Sequence, residues 1–469
     1  MSAALLSAEQ LVAEYRRGAL TPVEALQAVT ERIARLNPAY NAFALLDPAA
    51  LAAAHASAAR WHAGRPLGPL DGVPCTVKDL IDLQGHPTRR GSRTTPATPA
   101  AQDAPIVTSL RSAGAVIVGK TTTTEFGWKS PGDCPLHGIT RNPWDPKHTT
   151  GGSSSGAAAA AAACFGPLHV GTDAGGSVRI PAAWCGVVGL KPSFGRIPQW
   201  PLGAFAAVAV AGPLTRTVRD AALMLGPLAQ HDWRDPFCVP EGPRDWLDGI
   251  EEGVAGMSVA VLRNPGFEAP VDRDGIAAVE QAAAILTDAG AELHDVDPAA
   301  RFGLPDTGHL FATLWSTALR LVVADTPEER RPLLDAGLLA LAELGARAAE
   351  PSGTTMMRAA AQQVQTAHAM ARLHRTYDLV LCPCVPGPPP LADAATPEPV
   401  HALLNNWAPW TFAFNLSRQP AISMPLGRTA DGLPRSVQIA ASVYRDDLVL
   451  RAARVLEHAL PIPVHAAVR

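Results

Sequence analysis

Gly151-Gly152-Ser153-Ser154-Ser155-Gly156 leads into a run of alanines, and Gly171-Thr172-Asp173-Ala174-Gly175-Gly176-Ser177-Val178-Arg179-Ile180-Pro181 closes the stretch. Ser153 and Ser177 sit 24 positions apart, each in a glycine-rich turn. Taken alone, either serine reads as a helix cap, a common use of serine. Their joint spacing and flanking residues point instead to nucleophilic chemistry that needs no histidine. Upstream, Val77-Lys78-Asp79 supplies an amine that can serve as the base.

Composition bounds the rest. The chain has 469 residues, 47% hydrophobic and 17% charged, which fits a globular protein with a large core. Net charge is −4 and no long basic run appears, so no nucleic-acid partner is expected. The N-terminus begins as a polar helix and not as a signal peptide. The longest bland apolar run, Ala157 to Phe165, is far short of the ~20 residues that span a bilayer. No membrane partner is expected, and the location expected is cytoplasmic. The cysteines are Cys75, Cys134, Cys164, Cys185, Cys238, Cys382 and Cys384. Their irregular spacing reads as free thiols in a reducing compartment. Cys382-Pro383-Cys384 lacks a second pair or nearby histidines, so no metal site is expected.

Along the chain, Ser7 to Gln10 and Thr21 to Glu24 fit the capping box, with Pro22 at the first helical position. Ala25, Val29, Ile33 and Leu36 follow a helical period. Asp47-Pro48 starts a further helix that should end near Gly64. Val73 to Val77 and Ala115 to Val118 read as buried strands, with a helix from Ile106 to Ala113 between them. A helix over Ala157 to Cys164 follows the first glycine-rich turn. Met257 to Leu262 reads as a strand, Gly275 to Ala289 as a helix, and Leu333 to Leu373 as mostly helical. Leu379 to Leu381, Ala421 to Met424 and Val437 to Ala440 are late strands, and Asp447 to Ala459 is a final helix. Strands alternating with helices argue for an α/β fold.

Two other motif matches compete. Gly114-Ala115-Val116-Ile117-Val118-Gly119-Lys120-Thr121 satisfies the P-loop pattern. A P-loop uses its intervening residues as a loop whose amides cradle phosphate. Here they are Ala-Val-Ile-Val, which favour a buried strand. Gly152-Ser153-Ser154-Ser155-Gly156 satisfies the nucleophile elbow, which would make the chain an α/β-hydrolase-type esterase using Ser154. That reading needs a histidine from His374, His401 or His458. It leaves the second serine turn unexplained.

Lys78, Ser153 and Ser177 together resemble the amidase signature family. The match runs through Lys78-Asp79, Gly151 to Ser154 and Gly171 to Ala182. It continues through residues 114–121, Asn142-Pro143-Trp144-Asp145-Pro146 and Gly186-Val187-Val188-Gly189-Leu190-Lys191-Pro192, and returns weakly at Tyr377 to Pro383 and Gly432 to Ile439. The resemblance implies a large mixed, twisted β-sheet core covered by helices on both faces. It implies one amidase domain over 1–469, with a signature core at 65–220 and a more variable helical, substrate-shaping region at 235–375. It makes Ser177 the acyl-forming nucleophile, Ser153 the relay held in a cis peptide, and Lys78 the base. The N–H groups of Ala174, Gly175, Gly176 and Ser177 become the oxyanion hole. No metal or cofactor is implied.

A serine hydroxyl is a poor nucleophile until a base takes its proton. A lysine can be that base only when neutral, which requires burial to lower its pKa of about 10.4. Lys78 follows an apolar strand, where such desolvation is expected. Asp173 and Arg179 flank the second turn and read as a structural pair.

Two positions depart from the family pattern. Ser155 replaces a glycine of the first turn. Where glutamine amidotransferases use an amidase-like chain, an arginine of its late helix holds the substrate carboxylate, and Gln365 falls in that place. A partner-dependent chain of this amidotransferase type, delivering ammonia, is the alternative function. The expected substrate is a small amide, aryl or apolar, or a carbamate or urea-like compound. Gly127, Trp128, Gly151 and Gly152 are its expected contacts. Trp200 to Val210 reads as a lid or wall, with Trp315, Trp407 and Trp410 as further candidates. His137 and His148 read as structural, and a homodimer is the assembly expected.

Overall fold

Val259 and Val261 pack into one apolar cluster, while Ala260 and Leu262 between them pack into another. Leu379 and Leu381 divide from Val380 and Cys382 in the same way. Successive side chains of a strand point to opposite faces, so these strands belong to a sheet buried on both sides. The computed structural model describes residues 2–242, 244–348, 353–394 and 407–460, without the side chains of 345–348. Within it the strands are β1 (Phe43–Leu46), β2 (Pro74–Lys78), β3 (Val116–Thr121), β4 (Asp133–Cys134), β5 (Gly138–Ile139), β6 (Leu168–Asp173), β7 (Val188–Lys191), β8 (Val210–Thr215), β9 (Ser258–Leu262), β10 (Glu292–Val296), β11 (Leu379–Pro383), β12 (Ala421–Arg428) and β13 (Pro434–Ala441).

Eleven of them form one mixed sheet in the order β1-β3-β2-β6-β8-β7-β12-β13-β11-β9-β10. β2 runs parallel to both β3 and β6, and β9 runs parallel to β10 and β11. The remaining neighbours are antiparallel. One face carries the helices Pro105–Ser112, Val218–Leu228, Arg273–Asp288 and Asp446–Ala459. The other carries Pro22–Tyr40, Ala50–His62, Ser155–Ala162 and Gly353–Leu373. The α/β class and the helix-covered mixed sheet are therefore as expected. Both N-terminal capping boxes form, with Pro22 at the start of its helix.

The P-loop pattern is a strand. Residues 116–121 are β3, and Lys120 donates to Asp79 Oδ1 at 2.8 Å beneath the surface. No loop remains to cradle phosphate.

The helix Ser155–Ala162 has every residue buried. Ala159 and Ala160 join one apolar cluster, while Ala158 and Ala161 join another. A helix enclosed on all sides at close range takes small side chains. At its first turn a Cβ on Gly156 would lie 2.2 Å from the Ala42 carbonyl oxygen and 2.4 Å from Thr122 N. This close packing fixes where the preceding serines stand. Among the described residues, no helix is long and apolar enough to cross a membrane.

Candidate active site

Lys78 is the last residue of β2, and Thr172 lies near the end of its parallel neighbour β6. The carboxyl ends of parallel strands are where open α/β sheets bind ligands. Lys78 has no solvent exposure. Its Nζ lies 2.7 Å from Ser153 Oγ, 3.0 Å from Ser154 Oγ and 3.0 Å from Thr172 Oγ1. Burial pushes its pKa well below the usual lysine value, against the attraction of Asp173. The structure thus brings Lys78 and Ser153 together. The Gly152–Ser153 peptide is cis.

Ser177 follows β6 in the second turn. Ser154 N–H donates to the Ser177 carbonyl at 3.1 Å, which ties the two turns together. Ser153, Thr172, Ala174 and Ser177 form the floor of a cleft of about 660 Å³. Ser177 is half-buried, and its hydroxyl has no hydrogen-bond partner among the described residues. Ser154, the elbow candidate, is fully buried beneath that floor and donates to the Thr172 carbonyl at 3.2 Å. The described histidines of the elbow reading lie elsewhere. His374 bonds the Tyr377 carbonyl and His458 bonds Glu251. His401 is outside the described residues.

A buried ion pair holds the second turn. Arg179 donates to Asp173 through Nε at 3.0 Å and through Nη2 at 2.9 Å. Its other donors reach the Thr411 carbonyl, Gln438 and Asn415. Burial alone would raise the Asp173 pKa, but Arg179 beside it holds the carboxyl well below its usual range. A buried pair is tolerable when its donors and lone pairs are satisfied in this way. Asp173 Oδ1 also accepts the Gly176 N–H at 2.8 Å. Gly176 therefore differs from the expected oxyanion donors, because its N–H is already engaged. The N–H groups of Ala174, Gly175 and Ser177 have no acceptor among the described residues.

The expected substrate contacts divide. Gly127 lines the cleft, and a Cβ there would stand 3.1 Å from Ser153 Oγ. Trp128 does not line it. Trp128 is 1% exposed, and its carbonyl accepts the Trp315 indole N–H at 2.9 Å. Gly151 and Gly152 are likewise buried away from the cleft. The stretch Trp200 to Val210 does supply a wall, through Pro201–Ala206 and Ala209. Trp315 stacks behind it on Phe205, with ring centroids 4.1 Å apart. Trp407 packs edge-on to Trp128, and Trp410 donates to the Pro270 carbonyl. Gln365 is exposed on its helix and is not among the residues that line the cleft.

Sequence reasoning missed much of the rim. Leu80, Arg90, Thr94 and Phe126 line it, as do Leu321, Val322, Asp325, Thr326, Pro327 and Arg330. Phe126 neighbours Gly127 and was within reach of inference. Residues 321–330 span the last turn of the helix Thr307–Asp325 and the segment that follows it, and no local pattern signals that role.

The profile of the family described as Amidase matches residues 24–450. An acylamidase of Rhodococcus erythropolis is 36% identical over 471 residues, covering 97% of this chain and 96% of that protein. The glutamyl-tRNA(Gln) amidotransferase A chain of Rhodopirellula baltica is 34% identical over 490 residues, covering 97% of this chain and 96% of that protein. The solved structure of a bacterial aryl acylamidase belonging to the amidase signature family superposes with a TM-score of 0.88 at 27% identity. It covers 97% of this chain and 96% of the other.

Proposed function

The chain belongs to the amidase signature family, and on that premise we propose that it hydrolyses the C–N bond of a small aryl or apolar amide through an acyl-enzyme on Ser177. The observation that carries this is the buried Lys78 amine, 2.7 Å from Ser153 in the floor of the cleft. Desolvation disfavours the ammonium form. A neutral amine keeps a lone pair to accept the Ser153 hydroxyl proton, while its own N–H groups donate to Ser154 and Thr172. Ser153 in turn takes the proton of Ser177, whose oxygen attacks the amide carbon. Charge developing on the carbonyl oxygen is received by the N–H groups of Ala174, Gly175 and Ser177, where each preorganised donor is worth roughly 3 kcal/mol. Collapse breaks the C–N bond, and the relay returns the proton to the departing nitrogen. Water then hydrolyses the ester by the same path.

Phe126, Phe205, Leu80 and Leu202 give the cleft apolar walls, which favours an aryl or alkyl acyl group. All seven cysteines are free, which supports a reducing, cytoplasmic location. A panel of aryl amides, primary amides, carbamates and biuret-like compounds, read by ammonia or amine release, tests the activity. Ser177→Ala should lower turnover by about 10,000-fold or more. Ser154→Ala should retain substantial turnover, and the reverse pattern would overturn the assignment. The similarity to the amidotransferase relative favours a second reading, a chain that works only with a partner. Turnover by the purified chain alone excludes it.

A further inference from the structure

Among the described residues that line the cleft, three carry formal charge: Arg90, Arg330 and Asp325. Arg330 already gives one donor to the Thr94 carbonyl at 3.0 Å. It and Asp325 are exposed at the rim, where solvent and salt screen them. Arg90 differs. It is half-buried, and its guanidinium makes no hydrogen bond or ion pair with any described residue. A guanidinium partly removed from water without an acceptor is unfavourable unless a ligand supplies one.

The backbone fixes Arg90 against the reacting groups. Its N–H donates to the Asp79 carbonyl at 3.1 Å, one residue beyond Lys78. Its carbonyl accepts the Phe126 N–H at 2.8 Å, one residue before the glycine that abuts Ser153. Arg90 also holds φ at +54°, a region uncommon for a residue with a side chain. Such a residue persists where its surroundings hold it, and these positions cluster at ligand sites.

We propose that Arg90 is a specificity-determining residue that binds a carboxylate on the amide substrate. The substrate class is then an amide with an apolar body and an anionic end, such as the monoamide of a dicarboxylic acid or an N-acyl amino acid. The planar guanidinium matches a carboxylate with two parallel N–H donors, a geometry that lysine does not reproduce. This rests on the amidase reading above, but it concerns selectivity and not the chemical step.

The test compares glutaryl-4-nitroanilide with butyryl-4-nitroanilide, and N-hexanoyl-4-aminobenzoate with N-hexanoylaniline. The first pair places the charge on the acyl side and the second on the amine side. The wild-type chain should prefer the anionic member of one pair, mainly through KM. Arg90→Gln should reduce that preference by about 10- to 100-fold. Arg90→Lys should restore part of it, and 0.5 M salt should weaken it. Equal loss on both members of each pair, or no anionic preference in the wild type, overturns the proposal. Calorimetric binding of 4-phenylbutyrate against 4-phenylbutanamide gives a readout without turnover. If no amide is hydrolysed but Arg90 still governs binding of the acid, the amidase reading fails and the carboxylate site stands.

Discussion

Ser153 and Ser154 show how position separates residues that look alike in sequence, since both are buried and both meet Lys78 but only Ser153 lines the cleft. Ser153, Ser154 and Ser155 are chemically equivalent on paper. Only Ser153 both meets the lysine and reaches the cleft. The sequence motif pointed to this trio, but spacing alone could not rank its members; the family resemblance did. The base role makes a pH prediction. The reacting form is unprotonated Lys78, so kcat/KM should rise with pH along an acid limb set by this group. Burial lowers that pKa, so the limb should lie well below 10.5. Lys78→Met should remove the limb and cost about 100- to 10,000-fold in rate. An unchanged pH profile would count against Lys78. The oxyanion donors were legible as a glycine-rich turn. That the Gly176 N–H is engaged by Asp173 depends on one side-chain geometry, which no spacing reveals.

At the scale of elements, strands built on an uninterrupted β-branched or leucine run were legible, and β7 and β8, whose runs are broken by glycine or proline, were not. β2, β3, β9, β11, β12 and β13 carried clear apolar runs. β8 reads Val-Ala-Gly-Pro-Leu-Thr and β7 reads Val-Gly-Leu-Lys, which local propensity assigns to turns. Gly212 in β8 has a packing reason, since a Cβ there would stand 2.0 Å from the Leu190 carbonyl oxygen. Propensity lost here to close approach of two backbones. The helix after the first serine turn obeys the same constraint. Gly156→Ala forces a Cβ onto backbone atoms of Ala42 and Thr122. It should cost about 1–3 kcal/mol or more, read as a lower denaturant midpoint, together with a loss of activity. The turn Glu125–Gly127 carries a separate pH dependence. Burial pushes the Glu125 carboxyl up to about 7 from an ordinary 4.5, against hydrogen bonds from Ser92 and Asp335 N–H. The folded state therefore binds this proton more tightly than the unfolded state. Its contribution is complete below about pH 4.5 and is lost as pH rises through about 7. Glu125→Gln should flatten thermal stability over that interval, and an unchanged slope would refute this assignment.

Across the whole molecule, the sheet divides into two contiguous blocks that meet at β7 and β12. The first block holds the strands up to residue 215 and the second those from residue 258 onward. The turn bearing Ser177 belongs to the first block. Arg179, which braces it, is satisfied by Thr411, Asn415 and Gln438 of the second. We therefore propose one domain over the chain. Separately expressed halves, 1–235 and 236–469, should each expose an edge strand and apolar faces, and should be insoluble or inactive. A soluble, active N-terminal half would refute it. Long-range closure of this kind has no local sequence signal, so the cleft rim and the second-block braces stayed hidden while the triad did not.

The central claim is that Ser177 carries the acyl group. Labelling the purified chain with a fluorophosphonate, followed by peptide mapping by mass spectrometry, tests it most directly. The adduct should fall on Ser177 and be lost in Ser177→Ala. An adduct on Ser154 would contradict the account and restore the nucleophile-elbow reading.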